Sequence, residues 1–527
     1  MNCRRNQFDA LRRCLWALPL VTLLASIPSV QGQQFQYSDK VVVEEPTELD
    51  WVYAHLGTSP PAAQVDVDQM TGRGGDFTYE FYGPAGDARV GAPLVIFVSP
   101  QDRPVGWDFW VDVCESEGVM FAGIRDAGNG VAEARRIRAV LEVLSDVQRR
   151  HGGRSEQTYL AGFSGGAHVA WRVACALPEQ FGGVVCIGYA PQPPRSAWQR
   201  LRLAERLSVA IINGDRDPAA PWVESLYGPM LEAYGVRISS ETLARQGHNM
   251  PPSVVIEDAF KWLELARDVR AGDVKRRIGA NLTGIGSREK QADGRLEEAQ
   301  GRLTFPEESA AGLATLAEVI QRWPDAAAGD EAQAILIEYE QRADKPWLAA
   351  QRKQELNLLN IEADGYERLA RSSEPSLRSQ RAALAANAKH RWDQLAQQGD
   401  ERQQAEATQR LEELEKWIAR MPASEVNTAA VPMAKIRFEL MGEVTLAEGI
   451  GRFEQVLAKL GYRLLVDPTA EPVIAASGDA KIKLEMPAAT YSEVDRRFFR
   501  RHGLKLVRKG AEVKVMPEED KTDAAPK

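Results

Sequence analysis

Residues 158–177 read TYLAGFSGGAHVAWRVACAL, and this stretch decides the fold. Residues 158–161 are an apolar run typical of a buried strand, and residues 167–177 carry apolar side chains at helical spacing. Between them stands Gly-Phe-Ser-Gly-Gly, centred on Ser164. A tight strand-to-helix turn strains the backbone of its central residue and leaves room only for small residues two positions on either side. The pattern therefore predicts that Ser164 lies on such a turn, at the carboxyl edge of a sheet.

The same alternation of short apolar runs and helical patterns extends over residues 77–263. It is the pattern of a mostly parallel sheet with helices on both faces. We therefore expect an α/β domain over residues 33–270. The predicted strands are residues 77–82, 93–98, 119–124, 158–161, 183–188, 209–213 and 238–243, and the predicted helices include residues 132–150, 167–177 and 254–263.

A serine hydroxyl is a poor nucleophile near neutral pH unless a base accepts its proton, so Ser164 needs a histidine and an orienting carboxylate. His248 follows the last predicted strand, within Gln-Gly-His-Asn-Met. Asp217 follows the strand at residues 209–213, within Gly-Asp-Arg-Asp-Pro, and Asp215 of the same loop is the alternative carboxylate. The chain order serine, aspartate, histidine is the one expected for a sheet of this kind. These placements predict a triad of Ser164, His248 and Asp217.

Residues 75–265 resemble the α/β-hydrolase superfamily. They look most like its secreted esterase branch, which includes feruloyl esterases and polyhydroxyalkanoate depolymerases and in which Gly-Phe-Ser-x-Gly, an Asp-Pro loop and a late Gly-His recur. The resemblance implies that Ser164 is the nucleophile, His248 the general base and then the general acid, and Asp217 the carboxylate that orients the histidine. It also implies an ester substrate, small or polymeric, and no cofactor.

Stabilisation of an oxyanion requires well-placed donors, and Gly165 at the start of the predicted helix offers one N–H group. The esterases named above usually carry His-Gly after the first core strand, whereas this chain has Ser99-Pro100-Gln101-Asp102. Pro100 has no N–H. The predicted second donor is therefore Gln101 or a neighbour. A missing donor typically lowers turnover about 100- to 1000-fold, so this loop separates a good catalyst from a poor one.

Three other side chains near these motifs have two interpretations each. Trp107 and Trp110 follow the loop at residues 99–102, where they either line an acyl or sugar pocket or pack beneath a lid. His168 lies one helical turn after Ser164, so it either faces the site or is an ordinary core or surface residue. The sequence leaves these alternatives open.

The composition is that of a folded, multidomain protein. At 527 residues the chain is too long for one core, and 44% apolar with 26% charged residues excludes collagen-like and wholly disordered chains. Five cysteines without a Cys-x-x-Cys pair argue against a disulfide scaffold and against a zinc or redox site, so no metal is expected. The net charge of −9 argues against a nucleic-acid partner.

Residues 1–32 have the order of a secretory signal peptide. Four arginines precede an apolar run at residues 15–25, and small residues follow that run. The run is about half the length that a membrane-spanning helix needs, and no comparable run recurs downstream. We therefore predict an exported protein without a membrane span, located in the periplasm or outside the cell.

Residues 271–430 are rich in Ala, Gln, Glu, Arg and Leu, and prolines interrupt their long helical patterns. This composition predicts an all-α spacer. Residues 312–340 read as a helical hairpin that resembles a tetratricopeptide-type repeat, with Trp323-Pro324-Asp325 at the turn.

Residues 431–517 contain an internal duplication. Residues 435–440 and 481–486 each alternate polar and apolar side chains before a predicted helix, which leads through Gly461 or Gly503 into another alternating strand. The order predicts a small α+β domain with a βαβ-βαββ arrangement on one sheet. It resembles the short N-terminal domain of secretins and TonB-dependent receptors, which implies a docking site for a protein partner. The polar residues 518–527 predict a disordered tail.

Together these observations predict an exported serine hydrolase, in the first place a carboxylic-ester hydrolase. A serine peptidase or a thioesterase would use the same triad, so both stay open. A non-catalytic scaffold, in which the hydrolase fold is kept for binding while the C-terminal units recruit partners, also stays open. The presence of Ser99-Pro100 in place of the His-Gly usual in the esterases favours the scaffold. The presence of Ser164, Asp217 and His248 favours the enzyme.

Overall fold

The structure is a computed structural model, and it describes residues 34–47, 76–104, 106–265, 267, 288–345, 347–421, 438–459, 463–467, 469–477, 480–489, 491–509 and 512–517. The predicted signal peptide at residues 1–32 and the predicted tail at residues 518–527 lie outside the described residues. So do residues 435–437, the start of the first alternating segment, and Gly461.

An eight-stranded sheet forms the centre of the N-terminal part of the described chain. Its strands are β1 Phe35–Val42, β2 Thr78–Pro84, β3 Leu94–Val98, β4 Met120–Ile124, β5 Thr158–Phe163, β6 Gly183–Ile187, β7 Ser208–Gly214 and β8 Arg237–Leu243. Their spatial order is β1-β2-β4-β3-β5-β6-β7-β8. β1 and β2 pair antiparallel, and the remaining six strands pair parallel to one another.

Helices cover both faces of this sheet. They are α1 Trp107–Glu117, α2 Glu133–His151, α3 Gly165–Ala176, α4 Ala197–Arg206, α5 Ala220–Trp222, α6 Gly228–Ala233 and α7 Ser253–Leu265. Leu94 and Ile96 of β3 pack on the side of α2 and α3, whereas Val95 and Phe97 pack on the side of α1 and α7. Because both faces are buried there, the central strands β3 to β7 are dominated by continuous apolar runs. This is the predicted α/β architecture with a mostly parallel sheet.

Each of the seven predicted strands has a counterpart that begins and ends within two residues of the expected bounds. Strand β1 was not predicted. It pairs only with β2 at the edge of the sheet, and most of its side chains are exposed or half-buried. An edge strand of this kind lacks the apolar alternation by which strands are recognised in a sequence.

The connections from β3 and β5 position the site. The central strands β3 and β5 are neighbours. The chain passes from β3 to β4 on one side of this pair and from β5 to β6 on the other side, so the two connections run in opposite directions. A crevice therefore opens where the carboxyl ends of these strands meet. The loops after β3, β4 and β5 all border it.

Six helices follow in the next part of the described chain. They are α8 Arg288–Leu303, α9 Ser309–Arg322, α10 Ala327–Gln341, α11 Trp347–Arg371, α12 Arg381–Gln398 and α13 Glu401–Ile418. The predicted hairpin at residues 312–340 falls on α9 and α10, which join at the buried Trp323. Over the ranges described, the helices lack the combination of length and apolar character that a membrane crossing requires.

Paired buried charges connect α8 and α9 to the α/β domain. Arg202 of α4 has no exposed surface and donates to Glu298 of α8 at 2.7 Å and to Glu318 of α9 at 2.8 Å. Arg322 at the end of α9 contacts Glu179 of the α/β domain at 2.5 Å. These ion pairs lie buried in the contact between the two units.

The last part of the described chain contains β9 Phe438–Val444, α14 Leu446–Lys459, β10 Arg463–Val466, α15 Glu471–Ala476, β11 Ile482–Ala489, α16 Tyr491–Val494, β12 Leu504–Lys509 and β13 Glu512–Pro517. The strands form two sheets, β11-β9 and β10-β13-β12, and not the single sheet expected. Phe453, Phe498 and Phe499 lie in the core that both sheets share. The alternation of a strand predicts which face it buries but not which strand it pairs with.

Candidate active site

Ser164 lies on a sharp turn between β5 and α3. Its φ is 54° and its ψ is −123°, a left-handed conformation that non-glycine residues rarely adopt. Its N–H donates to the carbonyl of Ile187 on the neighbouring strand at 2.8 Å. A Cβ on Gly162 would lie 2.6 Å from the backbone nitrogen of Ala167, so only glycine fits there. The small residues thus permit the turn, and the turn presents the hydroxyl at the edge of the sheet.

His248 lies in the loop between β8 and α7. Its Nε2 is 2.8 Å from the Ser164 hydroxyl oxygen, and its ring packs against Phe163 with centroids 5.0 Å apart. Its side chain is 43% exposed, which leaves the contact open to solvent and to a substrate. The imidazole is therefore within proton-transfer distance of the serine.

Asp217 lies in the loop after β7 and is buried. One carboxylate oxygen is 2.8 Å from His248 Nδ1, and the other accepts the N–H of Ala219 at 2.8 Å. Asp215, the alternative carboxylate, is exposed and instead accepts the N–H of Arg245 at 2.8 Å. The structure thus brings Asp217, and not Asp215, to the histidine.

Backbone contacts hold the loops of Asp217 and His248 together. The N–H of Arg216 donates to the carbonyl of Gln246 at 2.9 Å. A Cβ on Gly214 would lie 2.6 Å from the carbonyl oxygen of Gly247, so this glycine permits the close approach. These contacts fix the loop of Asp217 against the loop of His248, and with them the position of the carboxylate beside Nδ1.

The two predicted oxyanion donors differ in availability. Gly165 is the first residue of α3, so its N–H has no acceptor within the helix and lies at the positive end of the helix dipole. The N–H of Gln101 already donates to the Ser99 hydroxyl oxygen at 3.1 Å. That hydroxyl in turn donates to the carbonyl of Arg103 at 3.3 Å. In this conformation Gln101 is committed to its own loop.

Sequence reasoning missed Arg136, which holds two loops of the site in place. This buried residue of α2 donates to the carbonyl of Ala127 at 2.7 Å and to the carbonyl of Ser99 at 3.1 Å. Burial lowers its pKa from the ordinary value. The available signal was an arginine on the apolar face of a helix, directly before Ile137, but a sequence does not reveal which carbonyls such a side chain reaches.

The two tryptophans pack in or beside the core. Trp110 has no exposed surface and lies 6.2 Å from Phe121 and 6.5 Å from Phe260, measured between ring centroids. It therefore has no area to offer a substrate and packs in the core of the α/β domain. Trp107 is partly exposed and packs against Tyr37 and Tyr82, with centroids 5.1 and 4.4 Å apart. A pocket role for Trp107 stays a prediction.

His168 belongs to a polar cluster one helical turn from Ser164. Its ring nitrogens lie 3.0 Å from the Tyr189 hydroxyl and 3.1 Å from a Glu133 carboxylate oxygen, which Arg172 also contacts at 2.5 Å. Although burial raises the pKa of Glu133, hydrogen bonds and charges from His168 and Arg172 bring it below the ordinary value. His168 is half-exposed and its partners are satisfied, as expected for a surface residue near the site.

The part of the chain that the structure describes holds no group of three or more His, Cys, Asp or Glu side chains arranged for a metal ion. Cys114, Cys175 and Cys186 are buried and unpaired.

No family model matches this chain, and no curated protein matches it. A thermostable esterase of known structure is 15% identical with a TM-score of 0.29, over 36% of this chain and 59% of that protein's length. Est1E from Butyrivibrio proteoclasticus is 13% identical with a TM-score of 0.29, over 37% of this chain and 96% of its own. MGS-M1, an α/β hydrolase from a Medee basin deep-sea metagenome library, is 12% identical with a TM-score of 0.32, over 45% of this chain and 99% of its own. Likenesses at this level assign no activity.

Proposed function

We propose that this protein is an exported serine hydrolase that cleaves carboxylic esters through an acyl-enzyme. The observation that carries the proposal is the continuous chain of contacts from Asp217 through His248 to Ser164, with 2.8 Å at each step. A strained serine at the start of a helix, in contact with an oriented base, has the arrangement required for nucleophilic attack. The ester specificity rests on the sequence resemblance to secreted esterases.

Acylation begins when the Ser164 oxygen attacks the ester carbonyl carbon. As this bond forms, the hydroxyl proton passes to His248 Nε2 and the carbonyl electron pair moves to the oxygen. Asp217 stabilises the imidazolium, and the N–H of Gly165 stabilises the oxyanion. When the tetrahedral intermediate collapses, the bond to the alcohol oxygen breaks and His248 returns the proton to the departing alcohol.

Deacylation repeats these steps with water in place of the serine. His248 Nε2 takes a proton from a water molecule, which attacks the acyl carbon of the Ser164 ester. The second tetrahedral intermediate releases the carboxylic acid, and the proton on His248 returns to the serine oxygen. The open position of His248, with 43% of its side chain exposed, leaves room for that water.

Labelling with a fluorophosphonate probe tests the proposal. The full mature chain is expected to be labelled, and Ser164→Ala is expected to abolish the label because it removes the nucleophile. Asp215→Asn serves as the matched control, because this exposed carboxylate accepts only a backbone N–H. Equal labelling of the Ser164→Ala variant, or none of the wild type, contradicts the catalytic assignment.

A panel of substrates then separates esters from the alternatives. Short-chain p-nitrophenyl esters, feruloyl esters and acetylated sugars report esterase activity, and matched peptide and thioester substrates report peptidase and thioesterase activity. We expect kcat/KM to be highest for an ester. A peptide or thioester preference would keep the triad and overturn the ester assignment.

The non-catalytic scaffold is the second candidate, and one observation favours it. The N–H of Gln101 donates to Ser99 at 3.1 Å, so only Gly165 is free among the two expected oxyanion donors. A scaffold would show neither labelling nor turnover with the panel. It would still bind partners through residues 431–517, for which the resemblance to secretin-type domains supports docking.

Capture experiments test the docking role. Full-length mature protein should retain partners from a periplasmic extract that a chain ending at residue 430 does not retain. Identical captures by both chains count against docking. Export itself predicts that the protein purified from its native host lacks residues 1–32, which an intact-mass measurement checks; a full-length mass contradicts export.

A further inference from the structure

The N–H of Gln101, expected as the second oxyanion donor, is already engaged. Pro100 has no N–H, and the N–H of Gln101 donates to the Ser99 hydroxyl at 3.1 Å. The N–H of Gly165 alone would stabilise only part of the negative charge on the oxyanion. Loss of one such donor typically lowers turnover about 100- to 1000-fold. A side chain that lies beside Gly165 and has an unused N–H group would fill this role.

Asn129 is a side chain of this kind. It belongs to the loop after β4, and its own N–H donates to the carbonyl of Pro100 at 2.8 Å. The same loop is bound to the Pro100 loop at two further points, since Asp126 N–H donates to the Asp102 carbonyl at 2.7 Å and Gly128 N–H donates to the Asp102 carboxylate at 3.1 Å. The position of Asn129 is thus fixed against one wall of the expected hole.

The side chain of Asn129 touches the opposite wall. A Cβ built on Gly165 would overlap Asn129 Oδ1 and lie 2.9 Å from Nδ2. The carboxamide therefore occupies the space that any larger residue at position 165 would fill. The Asn129 carboxamide therefore lies against the residue that carries the available oxyanion donor, the N–H of Gly165.

The Asn129 carboxamide also has unused donors. It is exposed, and its side chain makes no hydrogen bond within the described part of the chain. A carboxamide carries two N–H groups, and a half-turn about the Cβ–Cγ bond exchanges nitrogen and oxygen. The nitrogen is thus free to face an oxyanion when one forms.

We propose that Asn129 is the second oxyanion donor of this site. Its Nδ2–H and the N–H of Gly165 together stabilise the tetrahedral intermediate formed at Ser164, and the loop at residues 99–102 positions Asn129 through the Pro100 carbonyl. The inference rests on the hydrolase function proposed above. It assigns to a side chain the role that the sequence had assigned to the backbone of Gln101.

Two substitutions of Asn129 test this role. Asn129→Ala removes the donor, and Asn129→Asp keeps the shape but places a carboxylate beside the developing oxyanion. We expect kcat for p-nitrophenyl butyrate and the rate constant of fluorophosphonate labelling to fall about 100- to 1000-fold in the alanine variant. The aspartate variant should be slower still. KM should change less than about threefold in both, because the donor acts on the transition state.

A matched control and a second variant keep the test decisive. Asn357→Ala, on the exposed face of α11, should label at the wild-type rate. Gly165→Ala, which displaces the carboxamide, should be slow in the wild-type background but add little to Asn129→Ala, since both remove the same interaction. Thermal denaturation checks that each variant folds.

The possible results separate the two levels of the proposal. Wild-type labelling that depends on Ser164, combined with Asn129 variants within about threefold of wild type, overturns the role of Asn129 and leaves the hydrolase function intact. Absence of Ser164-dependent labelling in the wild type removes the hydrolase function, and the oxyanion role falls with it. A large rise in KM at unchanged kcat in the Asn129 variants likewise contradicts the role, because it would show that Asn129 binds the substrate in the ground state.

Discussion

We expect the free energy of unfolding of the wild-type protein to fall as the pH rises from about 4.5 to about 7, because of Glu80. The Glu80→Gln variant should not show this fall. Glu80 lies on β2 with 2% of its surface exposed, and its Oε1 has no hydrogen-bond partner. Its Oε2 accepts only a long hydrogen bond of 3.4 Å from Tyr37. Burial raises the pKa of Glu80 to about 7, although Tyr37, Arg125 and Arg103 oppose the shift.

The sign and size of the effect follow from this pKa. Below about pH 4.5 the carboxyl is protonated in both the folded and the unfolded chain, so its ionisation does not change the free energy of unfolding. Between about 4.5 and 7 the unfolded chain releases the proton and the folded protein retains it, which lowers the free energy of unfolding by about 1.4 kcal/mol per pH unit. The loss is complete above about pH 7 and amounts to about 3 kcal/mol. Because glutamine does not ionise, Glu80→Gln should lack this pH dependence.

Native-state hydrogen exchange of the β2 and β4 amides, corrected for the intrinsic rate at each pH, measures the opening free energy of this region. The comparison is the change between pH 5 and pH 8, so any constant effect of the amide cancels. Glu232→Gln, an exposed glutamate on α6, is the matched control and should behave as the wild type. An unaltered pH dependence in Glu80→Gln refutes the reasoning.

Three further predictions concern the site and the interface between the units. Asp217→Asn should lower kcat by about 10⁴ because the amide favours the wrong imidazole tautomer, whereas Asp215→Asn should match the wild type; steady-state kinetics would refute this if both behaved alike. Arg136→Met should lower kcat by about tenfold or more without changing KM, because the two loops that Arg136 joins lose their fixed geometry. An unchanged kcat in the same assay contradicts this prediction. Arg202→Met should destabilise the chain by about 3–5 kcal/mol, since three buried glutamates lose a shared cation. Thermal denaturation beside the exposed control Arg402→Met checks this, and equal midpoints would contradict it.

Much of the α/β domain was predictable because its central strands, β3 to β7, are buried on both faces. A strand in that environment is a continuous apolar run, and all seven predicted strands lie within two residues of the observed ones. Strand β1 was not predicted because an exposed edge strand carries no such apolar run. The two C-terminal sheets were wrongly expected to be one, because the alternation of a strand predicts which face it buries and not which strand it pairs with.

Part of the candidate site was predictable for a similar reason. Small residues around Ser164 predict the turn, and loops after strands predict where Asp217 and His248 stand. The sequence could not choose between Asp215 and Asp217, which are two residues apart in one loop, until the contacts of each were known. The catalytic roles of these residues remain predictions, as do the domain boundaries.

The sequence by itself determined the layered sheet, the strained turn and the order of the reactive residues, since each depends on local periodicity or on the size of neighbouring side chains. Only the tertiary structure decided that the Gln101 N–H is used within its own loop, that Arg136 binds the carbonyls of Ala127 and Ser99, and that the Asn129 side chain lies against Gly165. These outcomes depend on the directions of single N–H groups and side chains from segments far apart in the chain. Such directions are set by the packing of the loops against one another, which no pattern within one segment encodes.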